Sequence, residues 1–208
     1  MLAIIGTYRG LTYVPRLLDS IDNHTSGITE IVFVNDSPNP VVAEQLLALG
    51  RGAVVNTHGQ GYNAAMQAVV ELGKAHGAHA AFLEEDFYFT KDVDFSILVD
   101  HFDTHPYLSQ VVLQRQAWFP VELRAGGMLR VFKNRGKVFK KVDGYLEHDF
   151  FFSCNPAVWN KETFKGGWPE VQWSENEQRF REILRGRKFA ITDEVFVYHD
   201  GIRSGKDY

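Results

Sequence analysis

The chain has 208 residues, a formal net charge of −4 and 45% hydrophobic residues. That suffices for one well-buried domain, excludes two of ordinary size, and by charge alone points to no polyanionic partner. Cys154 is the only cysteine, which excludes a disulfide framework or zinc cluster within one chain and fits a reducing compartment.

The opening MLAIIGTYRG carries an apolar run too short for a signal peptide or a membrane span. No other segment approaches spanning length, so the chain reads as soluble and cytoplasmic. Leu2 to Ile5 is a buried strand ended by Gly6. Leu11, Val14, Leu17, Leu18 and Ile21 follow at helical spacing. Ile31 to Val34 is the next strand, with a turn at Asp36, Ser37 and Pro38. A helix over Val41 to Leu49, a strand at Ala53 to Val55, a helix over Tyr62 to Leu72 and a strand at Ala80 to Leu83 continue the alternation. Such alternation predicts an α/β domain, its sheet mostly parallel with helices on both faces.

The second half is less regular. Phe95, Leu98, Val99 and Phe102 form a helix face, and Val111 to Leu113 a strand. Residues 128–142 read as a hairpin, with Asn134-Arg135-Gly136 turning between two β-rich arms. A helix fits Glu175 to Leu184, strands fit Phe189 to Ile191 and Val195 to Tyr198, and the last eight residues read as a mobile tail. Neither repeats nor a low-complexity linker mark a boundary, so residues 1–208 read as one domain.

In open α/β sheets ligands bind beyond the carboxyl ends of the strands. Thr7, Tyr8 and Arg9 follow the first strand, Asp36 the second, His58-Gly59-Gln60-Gly61 the third and Glu84-Glu85-Asp86 the fourth. Each could be a solvated turn; together on one rim they point to a nucleotide site, with backbone N–H groups at Gly61 placed for phosphate. Three adjacent carboxylates between apolar runs repel one another. Mg²⁺ or Mn²⁺ would relieve that repulsion and could bridge two phosphates. The first strand lacks the Gly-x-Gly-x-x-Gly turn of a dinucleotide-dependent oxidoreductase.

These residues resemble the family 2 glycosyltransferases with the GT-A fold over nearly the whole chain. IIGTYRG with YVPRLLDSI, EIVFVNDSP, GYNAAMQAV, FLEEDFYF, GGWPEVQWSENEQRFREILRGRKF and VFVYHDG stand in the order of that family's motifs. The resemblance implies a single GT-A domain, with residues 1–90 as the nucleotide-sugar half, 91–200 as the acceptor-side half and 201–208 as the tail. It implies inverting, metal-dependent transfer from a UDP-sugar to a hydroxyl. Thr7, Tyr8, Arg9, Asp36, Gly61, Glu84 and Glu85 would hold the donor, and Asp86 and His199 the Mn²⁺ or Mg²⁺. Glu175 falls at the family's catalytic base. Asn35, Gln67 and Ser174 stand where aspartate, asparagine and glutamate are usual, and the last of these leaves Glu177 as a rival base.

Trp168 and Trp173 flank that base, as core residues or as faces on which an acceptor sugar stacks. Arg203 could fold over the diphosphate with the tail. Cys154 reads as packing, having no nearby base in sequence. RVFKNRGKVFKK carries six cations and no acid, either a solvated face or a surface that steers an anionic acceptor such as nucleic acid. Two alternatives stay open: a non-catalytic nucleotide-sugar-binding module, and a glycosyltransferase acting on modified DNA bases.

Overall fold

The structure, a computed structural model, describes residues 1–201. Strand β1 (Leu2–Thr7) leads through a short 3-10 turn into α1 (Val14–His24), and the two-residue β2 (Thr25–Ser26) precedes β3 (Glu30–Asn35). Then come α2 (Pro40–Ala48), β4 (Ala53–Asn56), α3 (Tyr62–His76) and β5 (Ala80–Glu84), completing the predicted alternation. Strands β6 (Phe87–Phe89) and β7 (Val93–Asp94), helix α4 (Phe95–Thr104) and strand β8 (Leu108–Arg115) follow. The remainder is α5 (Pro120–Ala125), α6 (Met128–Asn134), β9 (Lys140–Val142), β10 (Tyr145–His148), β11 (Ala157–Trp159), α7 (Lys161–Phe164), α8 (Ser174–Leu184) and β12 (Lys188–His199).

The main sheet runs β4-β3-β1-β5-β11-β8-β12-β10-β9, with β6 added on β12. β4, β3, β1 and β5 are parallel. β11 lies antiparallel between β5 and β8. Successive side chains of a strand alternate between faces, and here both faces are covered. Ala3, Ile5, Phe33 and Leu83 pack with Leu17 of α1, Leu46 of α2 and Leu98 of α4. Leu2, Ile4, Val34 and Phe82 pack on the other side with Met66, Val69 and Val70 of α3. Burial on two sides is why these strands read as unbroken apolar runs.

Residues 128–142 do not form the expected hairpin. Gly126 and Gly127 take φ of +82° and +119°, and the chain then enters α6, whose Met128, Leu129 and Val131 are buried. With Phe132 these apolar residues stand one, three and four positions after Met128, a spacing that suits a helix face and overrides the β propensity of Val131 and Phe132. The hairpin lies later, where β9 and β10 pair across Asp143-Gly144. Both turn residues have positive φ, 46° and 89°, as a two-residue Asp-Gly turn requires. The two predicted last strands are one, β12, with a register shift between Ile191 and Val195. Among the described residues no helix is long and apolar enough to cross a membrane.

His148 of β10 is 4% exposed, and neither ring nitrogen has a hydrogen-bond partner among the described residues. Its ring stacks on Phe151 at 3.9 Å, and burial holds its pKa down to about 3, against an ordinary 6.5. As pH falls below 6.5 the unfolded chain takes up this proton and the folded protein does not. The group's contribution to stability is therefore lost between the two values. At pH 4, two and a half units below the ordinary value, the loss is ~3 kcal/mol. His148→Phe is expected to flatten the decline in Tm between pH 6.5 and pH 4; thermal melts that fall in parallel for both proteins would contradict the assignment.

Candidate active site

The carboxyl ends of β1, β3, β4 and β5 meet along one rim, tied by backbone hydrogen bonds from Asp36 to Thr7, Thr57 to Asn35 and Glu85 to Gly6. A cavity of about 930 Å³ opens beyond it, lined by Thr7, Tyr8, Arg9, Asp36, Gly61 and Glu84 among others. Asp36 is 3% exposed. Its Oδ1 accepts from the Thr57 hydroxyl and, at 3.3 Å, from the Gly61 N–H. Gly61 has φ of +94° and ψ of 172°, a conformation open to glycine and little else, and it starts α3 at the cavity edge. The same aspartate thus fixes two of the loops around the cavity.

Of the three adjacent acids, Glu85 and Asp86 take different partners. Glu85 is buried, its Oε1 accepting the backbone N–H groups of Tyr8 and Arg9 at 3.0 and 2.6 Å. Burial pushes its pKa up to about 7 against those two bonds. It shapes the loop after β1. Burial and the charges of Asp86, Glu175 and Glu85 push Glu84 well above the usual carboxylate range. Asp86 places Oδ2 3.2 Å from His199 Nε2 and 3.1 Å from Arg9 Nη1.

His199 ends β12 and is set from several sides. Gln116 accepts its backbone N–H and donates to its carbonyl, both at 2.9 Å. Trp118 meets the ring edge-on at 4.1 Å. Trp118 is held in turn by Glu122, which accepts its backbone N–H at 3.0 Å and forms a buried two-pronged ion pair with Arg115 at 2.7 and 2.8 Å. A pair this enclosed holds geometry more than it adds stability.

Glu175 enters the same cavity from the first turn of α8. The Tyr62 hydroxyl lies 3.3 Å from its Oε1 and 3.0 Å from Cys154 Sγ. Burial raises the Glu175 carboxyl above its ordinary 4.5, against hydrogen bonds from the Cys154 backbone and Tyr62. Glu177 is turned away from the cavity lining and pairs with Arg181 at 3.4 Å. Residues two apart on a helix do not share a face. Trp173, 77% exposed, lines the cavity, with φ of +65° just before α8. That left-handed backbone costs roughly 1–2 kcal/mol in a residue with a side chain. Trp168 is 4% exposed, stacked on Trp159 at 6.0 Å and absent from the cavity lining. Arg203 lies outside the described residues.

Residues 2–168 match the sequence family described as glycosyl transferase family 2. The chain belongs to that family. Among solved structures, a mannosyltransferase from Pyrobaculum calidifontis in complex with GDP-Man and Mn²⁺ superposes with a TM-score of 0.67 at 15% identity, over 98% of this chain and 57% of that one. GalNAc-T7 with UDP, GalNAc and Mn²⁺ gives 0.68 at 14% identity, over 98% and 44%. TarS of S. aureus gives 0.65 at 15%, over 96% and 36%. At such identities the likeness establishes the GT-A fold, and the chain spans between about a third and three fifths of those proteins. No curated protein sequence matches it.

In this family 2 glycosyltransferase chain, Asp86 and His199 offer a carboxylate oxygen and an imidazole nitrogen 3.2 Å apart, close enough for both to hold one small cation. No group of three or more His, Cys, Asp or Glu side chains suited to a metal occurs among the described residues. Two protein ligands suffice where substrate phosphates and water supply the rest, as is usual for Mg²⁺. Gly201 closes over this pair: a Cβ there would lie 2.0 Å from Asp86 Oδ2 and 3.0 Å from His199 Nε2. Gly201→Ala should force the two apart and lower Mn²⁺-dependent nucleotide binding by about 10-fold or more, with the circular dichroism spectrum unchanged. Binding at the wild-type level would show that the pair is not a ligand set.

Several cavity residues escaped the sequence reading. Arg179 lies one turn after Glu175 on α8 and lines the cavity with it; four-residue spacing was the available signal. Tyr62 follows Gly61 directly. Trp118 and Phe150–Phe152 carried no local signal, because the Arg115–Glu122 pair and long-range packing put them there.

Proposed function

We propose that the chain transfers a sugar from a nucleoside-diphosphate sugar to an acceptor hydroxyl, inverting the anomeric carbon. One arrangement carries this reading: the Glu175 carboxylate and the Asp86–His199 pair line the same cavity. Residues 1–90 supply most of the donor side. Thr7, Tyr8, Arg9, Asp36, Gly61 and Glu84 hold base, ribose and diphosphate there, while Glu85 acts through the loop it braces. Residues 91–200 supply the acceptor side, with His199 reaching across to the donor.

Asp86 and His199 would hold Mn²⁺ or Mg²⁺, which when bound neutralises charge on the departing diphosphate. Glu175 takes the proton of the acceptor hydroxyl as that oxygen bonds to the anomeric carbon. The bond from that carbon to the diphosphate oxygen breaks, and its electron pair leaves with the diphosphate. Charge develops on an oxocarbenium-like sugar, and attack from the face opposite the leaving group inverts it. Tyr62 orients the carboxylate through its hydroxyl, and Trp173 offers a ring face to the acceptor sugar. Of the two candidate bases, Glu175 has the cavity position and Glu177 does not.

UDP-sugars come first as donors because the family resemblance implies them; GDP-mannose joins them because one similar structure holds GDP-Man. The test is release of free nucleoside diphosphate from each donor with Mn²⁺. Turnover that depends on Glu175 supports the reading. Tight donor binding without turnover, whatever the acceptor, would make the chain a binding module instead.

A further inference from the structure

Positive charge borders the acceptor end of the cavity. Between residues 123 and 142 the chain carries seven arginines and lysines and no acid, although its net charge is −4. Lys141 pairs with Asp193 at 3.0 Å. The other six, among them Arg130, Lys133 and Lys137, have no acidic partner among the described residues. Like charges gathered on α6 and the segment after it repel one another at short range, so an anionic ligand would relieve them.

This ridge is joined to the cavity wall. Phe132 of α6 packs on Phe150 and Phe151 at 5.1 and 5.0 Å, and Lys137 Nζ lies 5.6 Å over the Phe150 ring. Both phenylalanines line the cavity. Arg179 reaches the same wall from α8, donating Nη1 to the Phe150 carbonyl at 3.1 Å. Its Nε is buried without a hydrogen-bond partner among the described residues. Since Arg179 stands one helical turn from Glu175, a cation with an unused donor sits beside the group that deprotonates the acceptor.

The ridge is charged but offers no rings. From Met128 to Val142 the only exposed large hydrophobic is Val138, and Phe132 and Phe139 pack on each other and on Phe150. Tracks for single-stranded nucleic acid combine charge with aromatic faces on which bases stack. Charge without stacking suits phosphates on a base-free acceptor.

We propose that the acceptor is a phosphate-bearing polyol or glycan, with the phosphate nearest the reacting hydroxyl at Arg179 and further phosphates along Lys137 and Lys133. This rests on the transferase reading above. Short-chain inorganic polyphosphate is the probe, titrated into the whole chain without metal at low and moderate salt. Wild type should bind it with salt-sensitive affinity, and the double variant Lys133→Glu, Lys137→Glu should weaken binding by about 10-fold or more. UDP binding with Mn²⁺ should stay unchanged in the same variant, which separates ridge from donor site. Polyphosphate affinity untouched by the double variant overturns the proposal, as does single-stranded DNA of matched charge binding more tightly through the same lysines. Failure of wild type to bind any nucleoside diphosphate would instead remove the donor reading on which the proposal stands.

Discussion

Glu175→Gln is expected to lower kcat for sugar transfer by roughly 10²–10⁴-fold while nucleotide affinity changes little. The amide keeps the size of the side chain and its contact with Tyr62 but cannot accept the hydroxyl proton. Glu177→Gln, which removes only an exposed partner of Arg181, should leave kcat within about threefold of wild type, as surface substitutions usually do. The contrast between the two variants separates a base from a helix-surface acid. A pH dependence follows as well. Because burial raises the folded pKa of Glu175 above 4.5, the ionised base is present above that raised value and is lost as pH falls through it. The acid limb of kcat should therefore lie above the ordinary carboxylate range and disappear in Glu175→Gln. A limb at the ordinary value, or equal losses in the two variants, would remove Glu175 from the role.

The second large effect is expected at Asp86. Asp86→Ala should reduce turnover on the order of 10³-fold, since a metal at a leaving diphosphate supplies several kcal/mol of transition-state stabilisation. Excess Mn²⁺ should not restore it. The same substitution releases Arg9 from the 3.1 Å contact with Asp86, so the remaining positive charge can still approach a diphosphate and residual activity should become independent of metal. Glu85→Gln provides the comparison. Its carboxylate serves two backbone N–H groups rather than a ligand position, and it should alter nucleotide affinity while preserving the response to Mn²⁺. If Glu85→Gln and Asp86→Ala lost the metal response alike, the division of labour within the acidic triplet would be wrong.

What could be read from the chain before its structure divides along physical lines. The βα alternation through Glu84 was legible because each strand is buried on both faces and each helix keeps a 3.6-residue stripe. The rim followed, since carboxyl ends of parallel strands fall on one side. The segment from Gly126 to Val142 was not legible: its β-branched and aromatic residues suit a strand, and only packing of Met128, Leu129 and Val131 decides for a helix. The three-residue β11 was too short to show a period, though it fills the middle of the sheet. Within the site, Asp86 and His199 lie 113 positions apart and still meet, because β6 pairs with β12 and sets His199 opposite Phe87. No local pattern could have set Glu85 apart from its neighbours, because its two hydrogen bonds come from the loop after β1.

The central claim is that Asp86 and His199 hold a cation that couples to the donor's diphosphate. Calorimetric titration of UDP and of GDP, with and without Mn²⁺, addresses it most directly in wild type, Asp86→Ala and Glu175→Gln. At least one nucleotide should bind wild type about 10-fold or more tightly with Mn²⁺, Glu175→Gln should keep that gain, and Asp86→Ala should lose it. Nucleotide affinity indifferent to Mn²⁺ in wild type, or a gain that survives Asp86→Ala, would contradict the account.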